Sequence, residues 1–361
     1  MKIVYLIEDF SMKGGAERMV ADKADALASA YGHEVTVVSV YHDDRPPAYA
    51  LRRARLLSLG VPFASKSRNP AAKALSRTRT LALAARRFNA AMADIRPDVV
   101  FFTMSLGALL LPLYNGKARR IYESHTPRRF TPYHSFFRPM ERKADAVVCL
   151  TDGDAREFRH ARRVEVMPNF TKPAPQRPVN YAVRRAVAVG RLEHVKGFDI
   201  LIRCWKKAVK AHPGWHLDIW GEGSLREELQ RQITDEGADD AITLRGRTEN
   251  MAEKYHEYSL AVATSRYEGF SMALLEAQAA GLPAVATDFT HGARSIITDG
   301  MTGLIVAQGD EETLVKALGK TMSDEKLRRL YGEKARRQAH RFSFKETMEK
   351  WDALIKDVCT T

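Results

Sequence analysis

Four prolines fall within the twelve residues from Met167 to Pro178, in a chain that otherwise alternates β-rich runs with helical stretches. Prolines at that density continue neither a helix nor a central strand. The stretch therefore reads as a linker, and it divides the 361 residues into two pieces of ordinary domain size.

Both pieces show the strand–helix alternation of parallel α/β layers. Before the linker, strands are expected at Lys2–Ile7, Glu34–Val40, Val99–Thr103, Arg120–Glu123, Ala146–Leu150 and Val164–Met167. Helical patterns cover Gly14–Tyr31 and Asn69–Ile95, and the Pro-containing region from Pro46 to Pro70 reads as a mobile loop. After the linker, strands are expected at Ala186–Val189, His216–Trp220, Ile242–Arg245, Leu260–Thr264, Ala284–Thr287 and Gly303–Val306. Helices fall at Phe198–Ala211, Leu225–Asp235 and Phe270–Ala280, and from Asp310 onward. The fold class is α/β, with two Rossmann-like doubly wound domains, 1–168 and 169–342, facing a central cleft. The closing helix, within 343–361, has no strand after it and is expected to pack back on the first domain.

Charge separates the halves. Residues 1–168 carry 28 Lys and Arg against 17 Asp and Glu, and the remainder carries 29 against 27. Residues 45–93 hold eleven basic side chains and no acid. Such a half suits an anionic partner, or is a solvated basic face with none. A nucleic-acid binder would need aromatic stacking platforms, and this stretch offers only Tyr49, Phe63 and Phe88. Three scattered cysteines without metal spacing and an N-terminus without an apolar signal core point to the cytoplasm. No run approaches a membrane span.

Open parallel sheets bind ligands where strands end and helices begin. Three such junctions stand out. Ser11-Met-Lys-Gly-Gly-Ala-Glu-Arg18 places Gly14 and Gly15 at a helix N-terminus, which suits an anion but equally a tight turn. It lacks the Gly-x-Gly-x-x-Gly spacing of a dinucleotide fold, which excludes a dehydrogenase of that kind. Val189-Gly-Arg-Leu-Glu-His-Val-Lys-Gly197 sets Arg191 and Lys196 between glycines, two cations suited to a diphosphate or simply a solvated surface loop. In Arg266-Tyr-Glu-Gly-Phe-Ser271, the amides of Gly269, Phe270 and Ser271 are expected at a helix start. Glu268 precedes that helix and Glu276 follows two turns later, where carboxylates either accept hydrogen bonds from vicinal hydroxyls or merely cap the helix dipole and face water.

In this order and spacing, Gly14-Gly15, Gly190-Arg191 with Lys196-Gly197, and Glu268 with Glu276 resemble the retaining glycosyltransferases of family four and their two-domain GT-B fold. The resemblance spans nearly the whole chain. It implies that Gly15, Arg191, Lys196 and the amides of Gly269, Phe270 and Ser271 surround the donor diphosphate. It also implies that Glu276 binds the ribose, that Glu268 binds the transferred sugar, and that Arg247 and Thr248 approach the base. Tyr122-Glu-Ser-His125 resembles the family's strand-end histidine, which gives His125 a place beside the reacting sugar. Two departures are visible: Ser295 stands where relatives tend to carry an acid, and Glu123 and Ser124 are in reversed order.

The resemblance further implies transfer of a hexosyl or N-acetylhexosaminyl group from a nucleotide sugar, UDP-linked, to a glycan or polyprenyl-pyrophosphate-linked acceptor. No cofactor and no metal are expected, since there is no Asp-x-Asp motif. Arg52, Arg53, Arg55, Lys66 and Arg68 form the expected patch for the acceptor or an anionic membrane face on the cytoplasmic side. The competing readings are a sugar-nucleotide epimerase on the same fold and a non-catalytic nucleic-acid or membrane binder.

Overall fold

The computed structural model describes residues 1–41, 45–64, 69–172 and 177–360. It divides into two units, Met1–Pro168 with Lys345–Thr361, and Asn169–Phe344.

Unit 1 is built on seven strands: β1 (Lys2–Ile7), β2 (Glu34–Tyr41), β3 (Arg55–Val61), β4 (Val99–Thr103), β5 (Arg119–Glu123), β6 (Ala146–Cys149) and β7 (Val164–Val166). Their order is β3-β2-β1-β4-β5-β6-β7, and every neighbouring pair is parallel. β4 and β6 are buried along their whole length, because helices cover both faces of a parallel sheet. Strand order reverses between β1 and β4, so a crevice opens at their carboxyl ends.

The expectation of a loop from Pro46 to Pro70 is corrected by β3. Its register runs beside β2 from Thr36–Arg55 to Tyr41–Val61. As an edge strand it buries only Leu59 and Val61, so its hydrophobic pattern is faint. The turn leading into it is held by Asp25, whose carboxylate accepts the backbone N–H groups of Arg52, Arg53 and Ala54. Burial acts to raise the Asp25 carboxyl, but those three bonds outweigh it and hold the group below its ordinary value. The helix Pro70–Ile95 follows, with the Asn69 side chain accepting from the N–H groups of Ala71 and Ala72 and proline at its first position. Only Ala84, Phe88 and Met92 are buried on it, a single stripe four residues apart.

The closing helix, Phe344–Thr360, belongs with unit 1 as expected. Its Trp351 meets Phe101 edge-on at 5.6 Å and covers the Lys23 ammonium at 4.2 Å. Asp352 reaches His33 Nε2 at 2.8 Å.

Unit 2 carries β8 (Arg185–Val189), β9 (His216–Trp220), β10 (Ile242–Gly246), β11 (Leu260–Ala263), β12 (Ala284–Thr287) and β13 (Gly303–Val306). The order is β10-β9-β8-β11-β12-β13, again all parallel, with the reversal between β8 and β11. The helix Phe198–Ala211 buries Phe198, Leu201, Ile202, Trp205 and Ala208, one face at the helical period. In β9 the fully buried Asp218 accepts from Arg245 at 2.6 Å and Tyr258 at 3.0 Å and also pairs with Arg185. Among the described residues no helix is long and apolar enough to cross a membrane.

Trp351→Ala removes a buried aromatic from unit 1 and is expected to lower its stability by about 3–5 kcal/mol. Urea unfolding followed by circular dichroism checks this, and an unchanged midpoint would contradict the packing described.

Candidate functional site

The reversal between β8 and β11 is where a doubly wound sheet opens. There the segment after β8 folds over the segment after β11. Gly197, at φ +64, lies so close to the Thr264 carbonyl that a Cβ would overlap it. At Gly190 a Cβ would stand 2.9 Å from Lys196 Cε, so the aliphatic stem of Lys196 lies across a bare backbone. Lys196 is thereby led to Glu268, with Nζ 2.8 Å from Oε1 and the side chains only 17% and 13% exposed. Ser265 Oγ donates to the same carboxylate oxygen.

A second ion pair holds this arrangement. Arg266 makes a bidentate contact with Asp199 at 2.8 and 2.7 Å, and donates a further bond to the His194 carbonyl at 2.7 Å. Its backbone N–H donates to Val195. The Asp199 carboxyl lies below its ordinary value, because burial, which raises it, is outweighed by the Arg266 guanidinium. Gln308 Nε2 closes the underside by donating to the Ser265 carbonyl at 2.6 Å. Lys196, Ser265, Glu268, Ser271 and Tyr255 line one pocket over the ends of β8 and β11.

The helix that follows is Met272–Ala279 with Ser271 as its N-cap, so the expected start at Phe270 is corrected by two residues. Ser271 is buried at the pocket, and the first-turn amides that lack intrahelical acceptors belong to Met272, Ala273 and Leu274 rather than to Gly269 and Phe270. Gly269 lies ahead of the helix. Phe270 turns its ring inward against Phe342, ring centroids 5.5 Å apart. Glu276 is half-buried in the second turn, beside the pocket-lining Ala273 and Ala277. Arg191 is exposed and outside the pocket lining.

The loops after β9 and β10 meet the same edge, where Gly190 N–H donates to Trp220 and Gly221 N–H to Gly246. Arg247 and Thr248 leave from this edge, Arg247 exposed and Thr248 Oγ1 accepting from Asn250 N–H at 3.2 Å. Sequence reasoning overlooks three contributors here: Arg266 with Asp199, Ser265, and the Gly221-Glu222-Gly223 turn after β9. The last carries a visible signal, two glycines directly after a strand. At Ser295 the hydroxyl donates to the His291 carbonyl at 3.0 Å within its own short helix.

In unit 1, Gly14 is the N-cap of the helix Gly15–Ser29 and a Cβ on Gly15 would meet open space. Glu17 already places a buried carboxylate in that helix's first turn. His125 lies two residues past β5 with its side chain only 6% exposed, Nε2 3.3 Å from Glu123 Oε1. Glu123 in turn pairs with Lys23, a buried cation on the apolar face of Gly15–Ser29. Burial drives the His125 imidazole down to about 4 in spite of Glu123, so it is neutral at pH 7. Burial likewise holds Lys23 below its ordinary value against the pull of Glu123.

In the basic patch, the amides of Arg52 and Arg53 are tied to Asp25 while both side chains lie at exposed positions. Arg55 stands 3.6 Å from Glu34 on an open face, where an ion pair contributes little. Lys66 and Arg68 lie outside the described residues.

Comparison with known proteins agrees across the chain. Residues 13–174 match the family described as Glycosyltransferase Family 4, and residues 176–338 match that described as glycosyl transferases group 1. An exopolysaccharide phosphotransferase of Streptomyces coelicolor is 29% identical over 99% of this chain, which spans only 41% of that relative's length. The amylovoran biosynthesis glycosyltransferase AmsD of Erwinia amylovora is 27% identical, over 98% of this chain and 99% of its own. The fold of a Staphylococcus aureus TarM mutant, solved with fondaparinux, alpha-GlcNAc-glycerol and UDP, superposes with a TM-score of 0.78. It is 16% identical, over 98% of this chain and 99% of that one.

Two outcomes are expected. In nuclear magnetic resonance titration, the His125 imidazole should stay neutral from pH 8 to 5 and protonate near 4. Because the unfolded imidazole binds its proton near 6.5, unit 1 should lose stability as pH falls from 6.5 to about 4, and His125→Gln should flatten that slope. A His125 that titrates above 6 would contradict the buried placement.

Proposed function

The chain belongs to the family-four glycosyltransferases, and on that premise we propose that it moves a hexosyl or N-acetylhexosaminyl group from a UDP-sugar to a glycan or lipid-linked glycan in surface-polysaccharide synthesis. The observation that carries this reading is the Lys196–Glu268 pair at the β8/β11 reversal, beside the start of the helix Met272–Ala279. A cation, a carboxylate and the first amides of a helix within one pocket suit a ligand that is a diphosphate at one end and a polyol at the other. The UDP in the TarM complex supports the donor, and the exopolysaccharide in the name of the Streptomyces relative supports the pathway class.

In the mechanism we propose, an incoming diphosphate draws the Lys196 ammonium from Glu268. Arg191, at the exposed mouth of the same loop, adds a second cation. Glu268, released, accepts hydrogen bonds from hydroxyls of the donor sugar, and Glu276 accepts from the ribose diol. The bond from the anomeric carbon to the phosphate oxygen then breaks through an oxocarbenium-like state. The acceptor oxygen bonds to that carbon from the same face, and its proton passes to the departing phosphate oxygen, so the anomeric configuration is retained. Lys196, Arg191 and the amides of Met272–Leu274 stabilise the charge that develops on the leaving group, without a metal ion.

The basic side of unit 1 suits an anionic membrane surface where lipid-linked acceptors reside. Arg52 and Arg53 are exposed, as are Lys73, Arg77 and Arg79 on the first half of the helix Pro70–Ile95.

Lys196→Ala and Glu268→Gln should each reduce kcat/KM for donor turnover by roughly 100- to 1,000-fold. Both assays are run with EDTA present, and products are identified by nuclear magnetic resonance. UDP release with the anomer retained is the expected result. Release of UMP with transfer of a sugar phosphate, or strict dependence on Mg²⁺, would contradict the reading. In sedimentation with vesicles, binding to phosphatidylglycerol but not phosphatidylcholine is expected, and equal binding to both would deny the basic side its membrane role.

A further inference from the structure

Three consecutive residues, Thr264, Ser265 and Arg266, leave β11 toward the pocket, and their side chains serve its two walls separately. Thr264 and Arg266 turn to the segment that carries Lys196. Arg266 donates to the His194 carbonyl from its guanidinium at 2.7 Å and to the Val195 carbonyl from its N–H at 2.8 Å. Thr264 Oγ1 donates to the Gly197 carbonyl at 2.9 Å, with the Lys196 carbonyl 3.3 Å away. Four successive carbonyls are thus engaged by two residues, and the backbone beneath Lys196 is fixed whatever its ammonium does.

Ser265 turns to the other wall. It is buried, and its hydroxyl donates to Glu268 Oε1, the oxygen that also takes Lys196 Nζ at 2.8 Å. Among the described residues no donor reaches Glu268 Oε2, so that oxygen keeps its acceptor positions open. The serine itself is anchored. Its carbonyl accepts from Thr287 Oγ1 at 3.0 Å, at the end of β12, and from Gln308 Nε2 at 2.6 Å, two residues past β13. Ser265 is therefore tied to the ends of three neighbouring strands.

Glu268 Oε1 has two partners, and only one of them carries a charge. A diphosphate entering the pocket competes for the ammonium but not for a buried neutral hydroxyl. Without Ser265, Glu268 would lose its last hydrogen bond when Lys196 leaves, and would be free to follow the ammonium. With Ser265, a charge-assisted bond keeps Oε1 in place and Oε2 in its direction.

We propose that Ser265 is a positioning residue for the transfer reaction: it holds Glu268 Oε1 after the diphosphate has taken Lys196, so that Oε2 is presented to a hydroxyl of the donor sugar. The inference rests on the reading of this pocket as a nucleotide-sugar site. It divides two tasks between neighbours, with Lys196 yielding to the phosphates and Ser265 keeping the carboxylate oriented. Ser265 acts through Glu268 and not on the substrate.

The test follows UDP release by the full chain from UDP-glucose, UDP-galactose, UDP-N-acetylglucosamine and UDP-N-acetylgalactosamine, with UDP affinity read by calorimetry. Ser265→Ala should lower kcat on the donor that wild type uses by roughly tenfold or more, the cost of a misdirected group at a reacting centre. Ser265→Cys, close in size but a weak donor, should do the same. Affinity for UDP, which has no sugar, should stay within about threefold of wild type in both, which also shows that they fold. Ser265→Thr, which keeps the hydroxyl, should recover most of the loss. In a Glu268→Ala background, Ser265→Ala should cost nothing further, because the carboxylate through which it acts is gone. A wild-type kcat in Ser265→Ala and Ser265→Cys, or an equal loss with and without Glu268, overturns the inference and leaves the donor reading in place. Release of UDP from none of the four donors by wild type removes the donor reading, and this inference with it.

Discussion

The close approach of two chain segments at the β8/β11 reversal governs the rest of unit 2. Gly197 must pass the Thr264 carbonyl and Gly190 must lie bare beneath Lys196 for the ammonium to meet Glu268. The bidentate Arg266–Asp199 pair then locks the loop before the helix Phe198–Ala211 onto the strand end after β11. Lys196, Glu268 and Ser271 consequently share a pocket although they lie 75 residues apart from end to end of the sequence. The chemistry is small in extent, one cation, one carboxylate and a helix start, but its geometry depends on close approaches: a Cβ at Gly197 would overlap the Thr264 carbonyl, and one at Gly190 would press on the stem of Lys196.

Unit 1 solves a different problem. Lys23, Glu123 and His125 are buried together, and Trp351 of the closing helix covers the Lys23 ammonium. Removing one partner of such a group leaves an uncompensated buried charge. The helix Phe344–Thr360 therefore does more than fill an apolar groove: it keeps water from the ion pair that borders His125.

Much of this is legible in the sequence. β1, β4, β9 and β12 begin and end where the sequence pattern places them, since strands covered on both faces leave little ambiguity of pattern. Glu268 and Lys196 are both marked as site residues by their neighbours at strand ends. The features that escape do so for physical reasons. β3 pairs on one side only and buries two side chains, so a Pro-bounded, Arg-containing stretch looks like a loop. The helix at Met272 starts late because Phe270 is drawn into the core against Phe342, a tertiary contact with no local trace. Lys23 sits on an apolar helix face and is explained only by Glu123, a hundred residues away. Arg266 stands two residues before Glu268, yet its guanidinium is spent on Asp199, 67 residues distant, where no local pattern reveals it.

Titration of UDP by calorimetry into wild type, Lys196→Ala and Glu268→Gln tests the central claim, that the diphosphate displaces Glu268 from Lys196. If the two ligands compete for one ammonium, Glu268→Gln removes the competitor and should bind UDP several-fold more tightly than wild type, while Lys196→Ala binds it more weakly. Equal weakening in both variants would show that Glu268 supports the diphosphate rather than yielding to it, and would contradict the account.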